Sequence, residues 1–472
     1  MSTFSGLNTA HSGLAAARRA LDVVGQNVAN ANTAGYTRQR VLTSAVGAAN
    51  PVGMAAGGVR PGQGVSIDGI ARLGSANLDA QVRFTAGGSG YSAIRANAMS
   101  AVEMSLHEPG ENGLSARLNE FWAAWQDLSN RAGESAPAEL LIVQANALAS
   151  GLADGYHAVD AQWTQVRRDL DGMVAELNAT ASQVAELNGR IRKTVASGGS
   201  PNELLDQRNL LTTTLAALSG ATLRDTGDGA VDVLVGGNTL VSGVTFQALR
   251  IDGATRMDAA DGDPPRLEWA ERSGVRVTAD GGEIAGALSV LAPADDGRGG
   301  SIAEVASSYN AFARDLADKV NAVHRTGSTR SGVTGLDFFQ VDSRRPAQTL
   351  SVTPSDAADI ASGAPGAGGR DGTIADRIAQ LGVSADSPSA AWSSLVTTIG
   401  VATRSALQQA SLADLAATSA VNMQLSNSAV DLDEENVNLL MFQHAYQGAA
   451  RVLTAVDEML DTLINRTGIV GR

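Results

Sequence analysis

Leu7, Leu14, Leu21 and Val28 stand seven residues apart near the start of the chain, and Ala10, Ala17, Val24 and Ala31 follow each of them by three. This spacing lays an apolar seam along one side of a helix, suited to packing on a second helix. The helix is expected to stop within Asn27–Thr33, where Asn27, Asn30 and Asn32 offer the backbone local side-chain bonds, and Gly35 gives a permissive turn before Tyr36. Scattered Gly and Pro with brief alternations such as Val65-Ser66-Ile67 then predict loops and short strands, and Gly87-Gly88-Ser89-Gly90 reads as a linker.

Helical spacing returns in Leu118, Phe121, Trp122, Trp125 and Leu128, breaks at a turn over Gly133–Pro137, and resumes in Leu140–Leu152. A longer seam, Trp163, Val166, Leu170, Val174, Leu177, Val184, Leu187 and Ile191, predicts a long bundle helix ended by Gly198-Gly199-Ser200-Pro201. From about residue 221 the period changes. Val231, Val233 and Val235 alternate with Asp232 and Leu234, and Gly236-Gly237-Asn238 leads into Thr239-Leu240-Val241, a hairpin signal. Helix is expected again from Ile302 to His324, then a Gly/Ser/Pro-rich mixture of loops and strands. The last seam, Leu439, Phe442, Tyr446, Ala449, Leu453, Val456, Leu460 and Leu463, steps by threes and fours without a break.

These patterns predict a mainly α fold with β-rich inserted modules: an elongated multi-domain rod with paired, coiled-coil-like N- and C-terminal helices and a central helical bundle. The expected divisions are 1–45, a terminal helix and motif; 46–100, loop and short strands; 101–220, the helical bundle; 221–300, a β-rich insert; 301–326, a further bundle helix; 327–400, mixed loops and strands; and 401–472, a helical segment pairing with the N-terminus. Charge favours that pairing. Residues 1–45 hold four arginines and Asp22, or +3, whereas 425–472 hold three arginines against seven carboxylates, or −4.

Composition narrows the function. Hydrophobic residues are 44% of the 472, aromatics 4%, and there are 52 glycines, so Ala, Leu and Val carry the packing. The net charge of −14 disfavours phosphate backbones and anionic lipid, so neither nucleic acid nor a membrane is an expected partner. Cysteine is absent, which removes disulfides and thiolate chemistry. The first 30 residues do not read as a cleavable secretory signal, and no stretch is apolar for long enough to span a membrane.

No catalytic, cofactor-binding or metal site emerges. Lys193 and Lys319 sit outside glycine-rich loops, and Walker, H-E-x-x-H and G-x-S-x-G motifs are missing. His11, His107, His157, His324 and His444 are dispersed, and all but His107 fall in expected helices as structural residues. Asp225, Asp228 and Asp232, and Asp258, Asp261 and Asp263, lack the ligand spacing of a calcium loop and read as turn residues. Asp431-Leu432-Asp433-Glu434-Glu435 reads as helix N-terminal charge.

The segment from Leu14 through Asn27, Asn30, Asn32, Gly35 and Tyr36 to Gln39 resembles the N-terminal signature of axial proteins of the bacterial flagellum, and its Gly35-Tyr36-Thr37-Arg38-Gln39 ending is similar to the FlgK family of hook-associated proteins. So are Gly113–Trp125, Leu204-Leu205-Asp206-Gln207-Arg208-Asn209-Leu210-Leu211, Leu316–His324 with Phe338-Phe339, and Val430–Leu453. Ala34 stands where the family usually has Pro, and Thr37 where it usually has Ser. The resemblance implies a structural protein of the hook–filament junction, without enzymatic activity or cofactor. Its terminal helices would line an inner tube, with the seam residues Leu7, Leu14, Leu21, Val28, Leu439, Phe442, Tyr446, Leu453, Val456, Leu460 and Leu463 as assembly surface. Implied partners are hook protein, a second junction protein, a ring of like copies and an export chaperone. Implied location is the extracellular flagellum, reached by type III export. The rivals are another axial component such as hook protein, a rod-borne peptidoglycan hydrolase, or an adhesin using the β-rich insert. In the free chain the terminal helices are expected to be disordered, since a lone pair leaves its second face bare.

Overall fold

The computed structural model describes residues 3–47 and 62–466; residues 48–61 of the expected loop region and 467–472 of the C-terminal segment lie outside it. The chain opens with α1 (Thr3–Ala29), followed by a hairpin of β1 (Gln39–Ala45) and β2 (Val65–Arg72) in which Gln39 faces Arg72. Next come α2 (Ala76–Ser105), α3 (Leu114–Asn130), α4 (Ser135–Ala196) and α5 (Asn202–Ser219). An antiparallel four-stranded sheet takes β3 (Thr222–Asp225), β4 (Val231–Val235), β5 (Asn238–Ser242) and β6 (Thr245–Phe246) in chain order. A three-stranded one takes β7 (Leu249–Asp252), β8 (Arg266–Trp269) and β9 (Arg272–Arg276). The remaining elements are α6 (Gly282–Leu291), α7 (Ser301–His324), β10 (Phe339–Gln340), α8 (Pro346–Thr349), β11 (Ser351–Val352), α9 (Thr373–Leu381), α10 (Pro388–Ser428) and α11 (Leu432–Asp461). The fold is mainly α, elongated, with small antiparallel sheets inserted.

The 62-residue α4 is the axis of the body, about 90 Å long at 1.5 Å per residue. All eight residues of its expected seam, Trp163 to Ile191, are buried. The β4–β5 hairpin turns on Gly236 and Gly237, both at positive φ, as the two-residue loop requires. At one end of the body Phe121, Trp122 and Trp125 of α3 pack with Phe338 and Phe339; the Trp125 and Phe338 rings are 4.9 Å apart. His324 is fully buried beside them. Its Nδ1–H donates to the Leu336 carbonyl at 2.7 Å and its Nε2 accepts from the Ala361 N–H at 3.0 Å, so it pins the segment after α7.

Two sequence expectations need correction. Residues 76–100, expected as loop and strand, are helical as part of α2, and the supposed Gly87–Gly90 linker lies inside it. The glycines are there for close approach: a Cβ at Gly90 would sit 2.6 Å from the Ala217 carbonyl oxygen of α5, and one at Gly286 of α6 would sit 2.7 Å from the Tyr91 carbonyl of α2. The loop-and-strand region ends earlier than 400, because Pro388 is tolerated in the first turn of α10 and Ser387 caps it, accepting from the Ala390 N–H. Helices α2 and α10 pack along each other and carry the chain from the body to its two terminal segments.

Candidate functional site

The terminal segments meet. Helices α1 and α11 run antiparallel, with Asn27 bonded to Glu435 at one end and Gly6 against Val456 towards the other. The row buried in α1 is Ala10, Ala17, Ala20, Val23 and Val24, whereas Leu7, Leu14 and Leu21 are half-buried and Val28 is exposed. On α11, Val456 is buried, Leu439, Phe442, Leu453 and Leu460 are half-buried, and Tyr446 and Leu463 are exposed. The small residues let the two backbones come close, and the larger side chains flank the contact half-buried or exposed. The outer side of α11 presents more apolar surface: Val437, Leu440, Met441, Val452 and Met459 are each more than half exposed.

The end of α1 is locked by a polar node. Asn27, 1% exposed, uses its full hydrogen-bonding capacity: its amide donates to the Gln39 carbonyl at 2.9 Å and to Glu435 Oε2 at 3.0 Å, and its Oδ1 accepts from the Gln39 N–H at 3.0 Å and the Tyr36 hydroxyl at 2.9 Å. Arg38 forks onto both acids at the start of α11, with Nε 2.8 Å from Glu435 Oε1 and Nη2 2.6 Å from Glu434 Oε1. The bond to Glu434 is the chief reason the Arg38 guanidinium is pushed above its ordinary pKa. Burial, with Glu203, Asp206 and Glu435 nearby, pushes the Tyr36 phenol up to about 12. Asp431 caps α11 through the Asp433 and Glu434 N–H groups.

The node also reaches the body. Asp206 of α5 accepts from the Thr37 N–H at 3.0 Å and from Arg72 Nε at 2.5 Å, and Asn202 donates to Gln39 Oε1 at 3.0 Å. Gly35, at φ +76°, leaves room for Leu210: a Cβ there would lie 2.6 Å from the Leu210 side chain. Three stretches that resemble the same family in sequence, around Gly35, around Asp206 and around Glu434, are therefore one site in space. Of the expected motif residues, Asn27, Gly35 and Tyr36 belong to it. Asn30 accepts from the Thr33 hydroxyl at the frayed end of α1, and Asn32 is exposed outside the node.

Sequence reasoning assigned no role to Arg38, Gln39 or Asp206, and read Glu434 and Glu435 as helix-terminal charge only. The available signal was the complementary charge of the two ends. Both terminal segments are helical in the structure, and the node supplies partners for the groups at which α1 ends and α11 begins.

Asp225 accepts from the Gly227 N–H and Asp228 from the Ala230 N–H, as turn residues do, whereas Asp232, expected in a turn, is a buried residue of β4 that pairs with Arg224 of β3 and accepts from the Gly243 N–H. Among the described residues no three His, Cys, Asp or Glu side chains are placed to hold a metal ion, and no helix is long and apolar enough to cross a membrane.

Residues 99–339, about half of the chain, match the model of the flagellar hook-associated protein FlgK helical domain. The chain belongs to the FlgK family. Its ends match broader axial families: residues 7–37 the flagella basal body rod protein, and residues 424–466 the flagellar basal body rod FlgEFG protein C-terminal region. The FlgK-specific match thus falls on the body, and the two broader matches fall on α1 with its motif and on α11. The flagellar hook-associated protein 1 of Bacillus subtilis is 29% identical over the full length of both chains. That of Salmonella typhimurium is 30% identical over 71% of this chain and 59% of its own length. The flagellar hook junction protein FlgK from Burkholderia pseudomallei shares the fold, with a TM-score of 0.61 over 75% of this chain and all of the other, at 15% identity.

Proposed function

We propose that this FlgK-family chain is a structural component of the junction between hook and filament, a part on which filament assembly depends, and not an enzyme. The observation that carries the reading is the locked pairing of α1 with α11, whose outer side keeps Val437, Leu440, Met441, Val452 and Met459 exposed. An isolated surface of that kind is costly unless a partner covers it. The partners in this reading are hook protein, a second junction protein and further copies of the chain, with an export chaperone before assembly; the chain is exported through the flagellar apparatus and works outside the cell. The half-buried seam residues, Leu14, Leu21, Leu439, Phe442 and Leu453 among them, together with exposed Tyr446 and Leu463, form the assembly surface, and the β-rich insert stands apart from it. Immunogold labelling of intact flagella tests this: gold confined to the boundary of hook and filament supports it, and gold spread along the filament or along the hook contradicts it.

A further inference from the structure

The hydrophobic core of the body runs from Ala98 to Ile399 and, among the described residues, includes nothing from α1, β1, β2 or α11. The terminal pair has its own small apolar contact, and what joins the two units is largely polar. Arg72 bridges Asp206 of α5 and Asp79 of α2, and Gln424 of α10 donates to the other oxygen of Asp79. Asn202 donates to the Ile70 carbonyl of β2 as well as to Gln39, and the Arg38 N–H donates to the Ser428 carbonyl. A joint without an apolar core is one across which units ordinarily move.

We propose that Asp206 is a positioning residue that fixes the direction in which the terminal helix pair leaves the body. It is 6% exposed, and its two oxygens are committed to partners on separate segments, Oδ2 to the backbone N–H of Thr37 just before β1 and Oδ1 to the Arg72 guanidinium at the end of β2. One directional bond fixes a distance, whereas two from one rigid carboxylate to different segments fix an orientation. Without Asp206 the Asn27–Glu435 and Arg38–Glu434 contacts remain, so α1 and α11 stay paired and swing together as a unit. The consequence for assembly rests on the proposed junction role; the orientation itself does not.

The chain has no cysteine, so His11→Cys on α1 and Gln183→Cys on α4, both exposed, give two unique sites for spin labels. Electron–electron distance measurement on the purified full chain should give one narrow distribution. Asp206→Ala should broaden it by at least about twofold, with the thermal midpoint of the body unchanged. Asp206→Asn, which keeps an acceptor for Thr37 but loses the ion pair, should fall between, and Arg72→Gln should broaden it too, which keeps the idea testable if the alanine variant folds poorly. A distribution as narrow as the parent's in both Asp206→Asn and Arg72→Gln overturns the proposal. So does broadening that comes only with a lowered thermal midpoint, since that marks a merely structural role. Neither result bears on immunogold position, so the failure of this proposal and of the junction reading are distinguishable.

Discussion

Asn27 donates a hydrogen bond to Glu435 across 408 residues of sequence, at 3.0 Å, with both side chains 1% exposed. This contact closes the molecule: it ties the last turn of α1 to the first turn of α11, and Arg38 neutralises the same carboxylate from the other side. Burying an acid is tolerable only with such partners.

Asn27→Ala should therefore weaken the pairing by about 1–3 kcal/mol, because the Gln39 N–H and the Tyr36 hydroxyl lose their acceptor in a buried site. Hydrogen exchange should show faster amides throughout α1 and α11 and unchanged amides in α4. Equal protection of α1 in variant and parent would contradict this.

Gly35→Ala should cost about 1–2 kcal/mol from the left-handed backbone alone, and the added methyl also strikes Leu210. Leu210→Ala in the same chain should recover the steric part and leave the backbone part. Denaturant unfolding of the two single variants and the double reads this as a non-additive cycle.

The axial motif should loosen in alkali. Tyr36 is raised from about 10 to about 12 in the folded chain, so its neutral form is favoured by folding; that contribution is complete below pH 10 and is lost as pH rises towards 12. Tyr36→Phe should remove this part of the alkaline transition, while the part due to the buried Tyr309, also raised, persists. Hydrogen exchange or spin-label distances against pH will separate the two.

The body should be acid-sensitive through His324, whose pKa is lowered by burial, against an opposing pull from its bond to the Leu336 carbonyl and, less, from Asp337. Its neutral form supports the fold above pH 6.5, and the contribution disappears as pH falls through the depressed value. Thermal midpoints of the parent should drop over that range more steeply than those of His324→Asn.

Much of this was legible from sequence where a single period ran unbroken, as in α4, α7 and the α11 stripe. The misreadings came from glycine. Gly87, Gly88 and Gly90 look like a linker to any local rule, and only the approach of α5 and α6 explains why a helix holds glycine at 87 and 90. On α1 the heptad spacing offered two rows, Leu7, Leu14 and Leu21 with Ala10, Ala17 and Val24 three places after, and only the packing decides that the row of smaller residues is the buried one. The polar node was readable in pieces. That Thr37, Asp206 and Glu435 meet is a tertiary fact with no local signal.

The half-buried Leu453 lies on the α11 stripe between Tyr446 and Leu460. Leu453→Asp places a carboxylate on the proposed assembly surface, at about 2 kcal/mol or more if that surface is covered on assembly. The variant should keep the thermal midpoint of the body and fail to support filaments, whereas Arg451→Asp, exposed beside it, should do much less. Swimming cells that carry Leu453→Asp would contradict it.

The central claim is that this chain joins filament to hook, and electron microscopy of a strain lacking it tests that most directly. The account predicts complete hooks without filaments and flagellin released into the medium, with filaments restored when the parent chain is supplied. Filaments of normal length on the deletion strain would contradict it.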